Sequence, residues 1–139
     1  MVAMSNWAAH AVVLPGTGSD ARFASDAFTS ALTAVGTSVE AVDPDPVGVV
    51  ASYEAALDAA ADAHGRIIVG GISIGAAVAA AWSARNREHV AGILAVLPPW
   101  LGKPGDAPAA LSARLTSHLL TTEGLEAVTV AMAATSPDW

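Results

Sequence analysis

The chain of 139 residues contains no cysteine. That absence excludes a disulfide framework, a thiolate zinc centre, an iron–sulfur cluster and a cysteine nucleophile. Positive charge is scarce too, with six Lys and Arg against thirteen Asp and Glu and a formal net charge of −7. No basic stripe is available to neutralise phosphates, which argues against nucleic-acid binding and against attraction to an anionic membrane surface. Long apolar runs are missing as well. The longest, Ala76 to Trp82 and Ile93 to Leu101, fall far short of the roughly 18 to 20 residues of a spanning helix. Met1 to Trp7 has neither a basic segment nor a continuous apolar core, so no secretory signal is read there and a cytoplasmic location is expected. The four histidines are scattered and no H-E-x-x-H occurs, so neither a metal nor another cofactor is expected.

What is present is apolar and periodic. Hydrophobic residues make up 53% of the chain, enough for one globular domain that buries about two-thirds of its unfolded surface. Ala-His-Ala-Val-Val-Leu, ending at Leu14, reads as a buried strand that Pro15-Gly16-Thr17-Gly18 terminates. Ser19 or Asp20 can cap a helix over Ala21 to Val35, whose apolar face is Phe23, Ala27, Phe28, Ala31, Leu32 and Val35, with Gly36 as its stop. The unit repeats. Ser38 to Val42 is a strand, Asp43-Pro44-Asp45-Pro46 a break, and Val50, Tyr53, Leu57, Ala60 and Ala61 mark a second helix closed by Gly65. A third strand, Ile67 to Val69, leads through a turn at Gly70 to Gly75 into a nearly all-apolar helix, Ala76 to Arg85. Val90 to Leu97 is apolar without alternation, as in strands buried on both faces. Strands alternating with helices predict an α/β fold, a parallel sheet of about four strands with helices on both faces. After Gly102-Lys103-Pro104-Gly105 come two helical segments, Pro108 to Thr121 and Leu125 to Ala134.

Gly71-Ile72-Ser73-Ile74-Gly75 is G-x-S-x-G between a strand and a helix, the setting of a nucleophile elbow. A turn that sharp strains the serine backbone and brings strand and helix so close that glycine belongs at Gly71 and Gly75. It lifts the Ser73 hydroxyl above the strand ends and aims the Ile74 N–H at the oxyanion of an attacked carbonyl. The helix dipole adds positive potential at the same spot. The competing reading makes Ser73 an ordinary helix-capping serine.

With these residues the chain resembles the α/β-hydrolase superfamily, through Gly71-Ile72-Ser73-Ile74-Gly75 and Val12-Val13-Leu14-Pro15-Gly16-Thr17-Gly18. The resemblance implies an esterase-like serine hydrolase that forms an acyl-enzyme on Ser73 from a small-molecule ester or acyl substrate. It carries the second oxyanion N–H to Thr17 and makes residues 101–139 the start of a helical cap. Trp100, Leu101, Leu119 and Leu120 would then line an apolar acyl pocket, or serve only as packing. The departure lies in the acid and histidine, which in the family follow later strands in the order Ser, Asp or Glu, His. His89 is expected at the opposite edge of the sheet, His118 on a helix surface, and Asp138 has no histidine after it. None of these completes a triad, so little or no turnover is expected from this chain alone.

Two alternatives stand beside it. Gly16-x-Gly18-x-x-Ala21 with Asp43 after the next strand is a Rossmann-like fingerprint, able to seat a pyrophosphate on a helix N-terminus and a ribose on Asp43. Pro15 and Asp20 oppose it, the one by stiffening the turn and the other by its charge. The second alternative is a non-catalytic scaffold: the strand Val90 to Leu97, left as an apolar edge, would self-associate. Ser136-Pro137-Asp138 has the residues of a helix start immediately before Trp139, so the chain is expected to be a truncated front part of a longer α/β-hydrolase-like domain, or to descend from one.

Overall fold

The computed structural model describes residues 8–135. Two expectations, on a secretory signal in Met1 to Trp7 and on a helix start at Ser136 to Asp138, fall on residues outside them. The order of elements is β1 (His10–Leu14), α1 (Ala21–Ala34), β2 (Ser38–Ala41), α2 (Val49–His64), β3 (Ile67–Ile72), α3 (Ile74–Arg85), a 3₁₀ turn (Arg87–His89), β4 (Val90–Val96) and α4 (Pro108–Thr135). The chain forms two compact units that divide between Pro98 and Pro99.

In the first unit four parallel strands make one sheet in the order β2-β1-β3-β4. The alternation of side chains along β1 splits the core in two. Val12 and Leu14 face α2 and α3 and pack with Tyr53, Leu57, Val69, Val78 and Trp82. Ala11 and Val13 face α1 and pack with Ala24, Phe28, Leu32 and Ile68. This is the expected α/β fold with helices on both faces. Polar bonds reinforce the α2/α3 side, where Trp82 Nε1 donates to Asp58 Oδ1 at 2.7 Å and Arg85 pairs with Glu54.

Several local expectations are revised. Phe23 and Val35 are exposed, so the buried stripe of α1 narrows to Ala24, Phe28 and Leu32. β3 runs on through Gly70 and Gly71 to Ile72, because these glycines meet a close approach inside the strand rather than make a turn. A Cβ on Gly70 would stand 3.0 Å from Val13 Cγ1. β4 is not buried on both faces. It is an edge strand, with Ile93 46% and Val96 39% exposed, because no further element of its unit pairs with it among the described residues. An all-apolar strand reads alike in the middle of a sheet and at its rim.

The second unit consists of a turn-rich segment and α4. Its two helical stretches meet at Gly124, whose φ of 83° and ψ of 169° interrupt the helix. Ala110 and Val128 are buried, whereas Leu115, Leu125 and Val130 are exposed. Among the described residues no helix is long and apolar enough to cross a membrane.

Candidate active site

The strand order places a switch point in the first unit. From β1 the chain turns to β2 on one side, and from β2 it crosses to β3 on the other. The connections leaving the carboxyl ends of β1 and β3 therefore diverge and leave a crevice, the usual ligand position in open parallel sheets. The segment Pro15 to Asp20 leaves β1 there, and Ser73 leaves β3 there.

Ser73 is the single residue between β3 and α3, with φ 52° and ψ −115°. A residue with a Cβ occupies that region only at a cost of about 1–3 kcal/mol, which surrounding structure must impose. The imposing contacts are backbone contacts. A Cβ on Gly71 would fall on the Gly75 carbonyl and 2.6 Å from Ala76 N. A Cβ on Gly75 would fall on the Leu14 carbonyl and 2.7 Å from Pro15 O. Strand, helix and the β1 loop thus meet with no side chain between them.

The Ser73 N–H donates to Val96 O at 3.0 Å and its carbonyl accepts from Ala77 N at 3.1 Å, so both backbone groups are engaged. Its side chain makes no capping hydrogen bond, although the residue stands at the N-cap of α3. An ordinary capping serine has extended backbone and an oxygen bonded to the second or third helical N–H; Ser73 has neither. Ser73 is half-buried at the carboxyl end of β3. Ile74 opens α3, where the first-turn N–H groups have no partner within the helix. Leu97, just after β4, also has positive φ, 47°, so strained backbone follows two adjacent strands at this end.

The β1 loop passes directly beside the serine: a Cβ on Gly16 would stand 3.3 Å from both Ser73 Cβ and Ile72 O. Gly16 O accepts from Ser19 N at 3.2 Å and Ser19 Oγ at 3.1 Å. Because a trans peptide is planar, this fixes the Thr17 N–H pointing the opposite way. Pro15 O accepts from the hydroxyl of Tyr53 at 3.0 Å. Tyr53 is fully buried, and its phenol is held above the ordinary range by desolvation first and by the negative charge of Asp43 second. The sequence pattern identified Tyr53 only as a core position of α2. A lone tyrosine at helical spacing carries no signal of the carbonyl it reaches.

Among the described residues no histidine of the first unit lies at this end of the sheet. His10 begins β1 and stacks on His64, the last residue of α2, with ring centroids 4.0 Å apart. His89 precedes β4, its Nδ1 3.3 Å from Gly65 O. All three lie where the strands begin, and six residues of β3 at about 3.3 Å each put roughly 20 Å between that edge and Ser73. His118 belongs to the second unit and is exposed, as expected of a helix-surface residue. Trp100 and Leu119, half-buried, and Leu101 and Leu120, exposed, also belong to the second unit.

The dinucleotide fingerprint has a different use here. Asp43 Oδ1 accepts the Ala21 N–H at 3.0 Å and Asp20 Oδ1 the Phe23 N–H at 2.9 Å. Two carboxylates occupy the helix N-terminus on which a pyrophosphate would sit. Among the described residues no group of three or more His, Asp or Glu is placed to hold a metal. Comparison with protein-family models, curated proteins and solved structures found no match. The fold and crevice define the class: a parallel α/β unit with a strained, glycine-flanked serine at its switch point.

Proposed function

We propose that this chain is the nucleophile-bearing core of an α/β-hydrolase-type serine hydrolase acting on small-molecule esters or related acyl compounds. The observation that carries this reading is the Ser73 backbone, φ 52° and ψ −115°, held between backbone-to-backbone contacts at Gly71 and Gly75. Strain of this size persists at an uncapped, half-buried serine where an exposed hydroxyl is the product of the geometry. The Ser73 hydroxyl oxygen attacks the acyl carbon, the bond from that carbon to the alkoxy oxygen breaks, and the alkoxide leaves as the alcohol carrying the serine proton. The Ile74 and Thr17 N–H groups stabilise the oxyanion, a contribution of order a hundredfold or more per donor in such sites.

With no histidine of the sheet unit near Ser73, the chain by itself turns over ester little or not at all, because an unassisted serine is a poor nucleophile at neutral pH. The test is intact-mass detection of fluorophosphonate labelling on the folded chain. At high reagent concentration and mildly alkaline pH, where an unassisted serine still reacts slowly, one adduct is expected and is lost in Ser73→Ala. Absence of any adduct from a folded chain, even at high reagent concentration and mildly alkaline pH, rejects the reading. A second reading, a non-catalytic scaffold that pairs with a second copy through β4, is favoured by the exposure of that strand at the sheet edge.

A further inference from the structure

We propose that Tyr53 is the positioning residue of the oxyanion loop, its hydroxyl locking the Pro15–Gly16 peptide so that the loop N–H groups stay directed beside Ser73. The inference rests on the serine-hydrolase reading and adds to it a residue from the core. The loop has two successive peptide planes, joined only by the rotatable bonds of Gly16, the most permissive residue available. Each plane must be pinned separately if its N–H is to keep one direction. Ser19 pins the Gly16–Thr17 plane through Gly16 O, at 3.2 and 3.1 Å. The Pro15–Gly16 plane is pinned by Tyr53, at 3.0 Å, and by the close approach of Gly75 to Pro15 O. Serine and loop are in register, since the Gly16 Cβ position lies 3.3 Å from Ser73 Cβ. Tyr53 sits on α2, reaches across the sheet face and is fully buried, so its own rotamer is set by the core. Proline at position 15 fits this arrangement, having no N–H of its own to satisfy in a buried turn.

The test is Tyr53→Phe in the full chain, which removes one oxygen and keeps the ring that fills the core, with a melting curve to verify folding. Two readouts separate positioning from mere stability. Backbone ¹⁵N order parameters of Gly16, Thr17 and Ser19 are expected to fall from the rigid range of about 0.85 towards about 0.6, with α3 unchanged. The maximal rate of fluorophosphonate labelling is expected to fall about tenfold, with the half-saturating concentration changed less than about twofold, because an oxyanion donor acts on the transition state. Unchanged order parameters overturn the proposal whatever the labelling does. Looser loop peptides with an unchanged labelling rate overturn it too. If the parent chain never labels while the variant loop loosens, Tyr53 keeps its role in holding the loop and the hydrolase reading alone fails.

Discussion

At the scale of single residues, Ser73 shows how close backbone approaches impose strain. Its conformation is the mirror of an ordinary extended one, so a glycine there is unstrained while alanine keeps the penalty of a Cβ. Ser73→Gly is therefore expected to be more stable than Ser73→Ala by about 1 kcal/mol in urea unfolding, the strain relieved exceeding the entropy that glycine adds to the unfolded chain. Equal stabilities would mean that the elbow relaxes around a Cβ and stores no strain. The glycines were legible in the sequence, because G-x-S-x-G between a strand and a helix encodes a close approach in residue type. Tyr53 was legible only as a buried face position. Its bond to Pro15 O joins residues 38 positions apart, and no local pattern carries that information.

At the scale of elements, β4 is the strand whose burial departs furthest from a strand buried on both faces. β1 and β3 are buried along nearly all their length, but β4 alternates between half-buried and exposed and ends with exposed Ala95 and Val96. A groove of about 510 Å³ lies between it and α1, lined by Phe28, Leu32, Ile93 and Leu94 among others. An open edge with apolar side chains on both faces is a template for further pairing. Concentration-dependent dimerisation is the expected outcome, read by size exclusion with light scattering, and Ile93→Lys is expected to weaken it at least tenfold. A chain that stays monomeric at millimolar concentration would show the edge to be adequately protected as it stands. Hydrophobicity alone misplaced this strand, since burial depends on what lies alongside it.

At the scale of the whole molecule, Tyr53 links alkaline pH to stability. Burial and the charge of Asp43 raise its phenol in the folded state above the ordinary value of about 10. As pH rises through that value the unfolded chain gives up the proton first, so unfolding is favoured progressively and the contribution is lost towards the folded value. Urea midpoints measured from about pH 8 to 11 should fall more steeply for the parent than for Tyr53→Phe. Parallel curves would show that the phenol ionises alike in both states. The α/β class, the strand–helix alternation and the glycine-flanked serine follow from sequence alone, since periodicity, β-branched runs and glycine spacing are local consequences of backbone geometry. Only the tertiary structure decided how far β4 is exposed, that Asp43 caps α1, that His10 and His64 stack at the far end from Ser73, and that Tyr53 grips the loop beside it. Each of these depends on strand order and on contacts between segments distant in the chain, which no stretch of sequence records by itself.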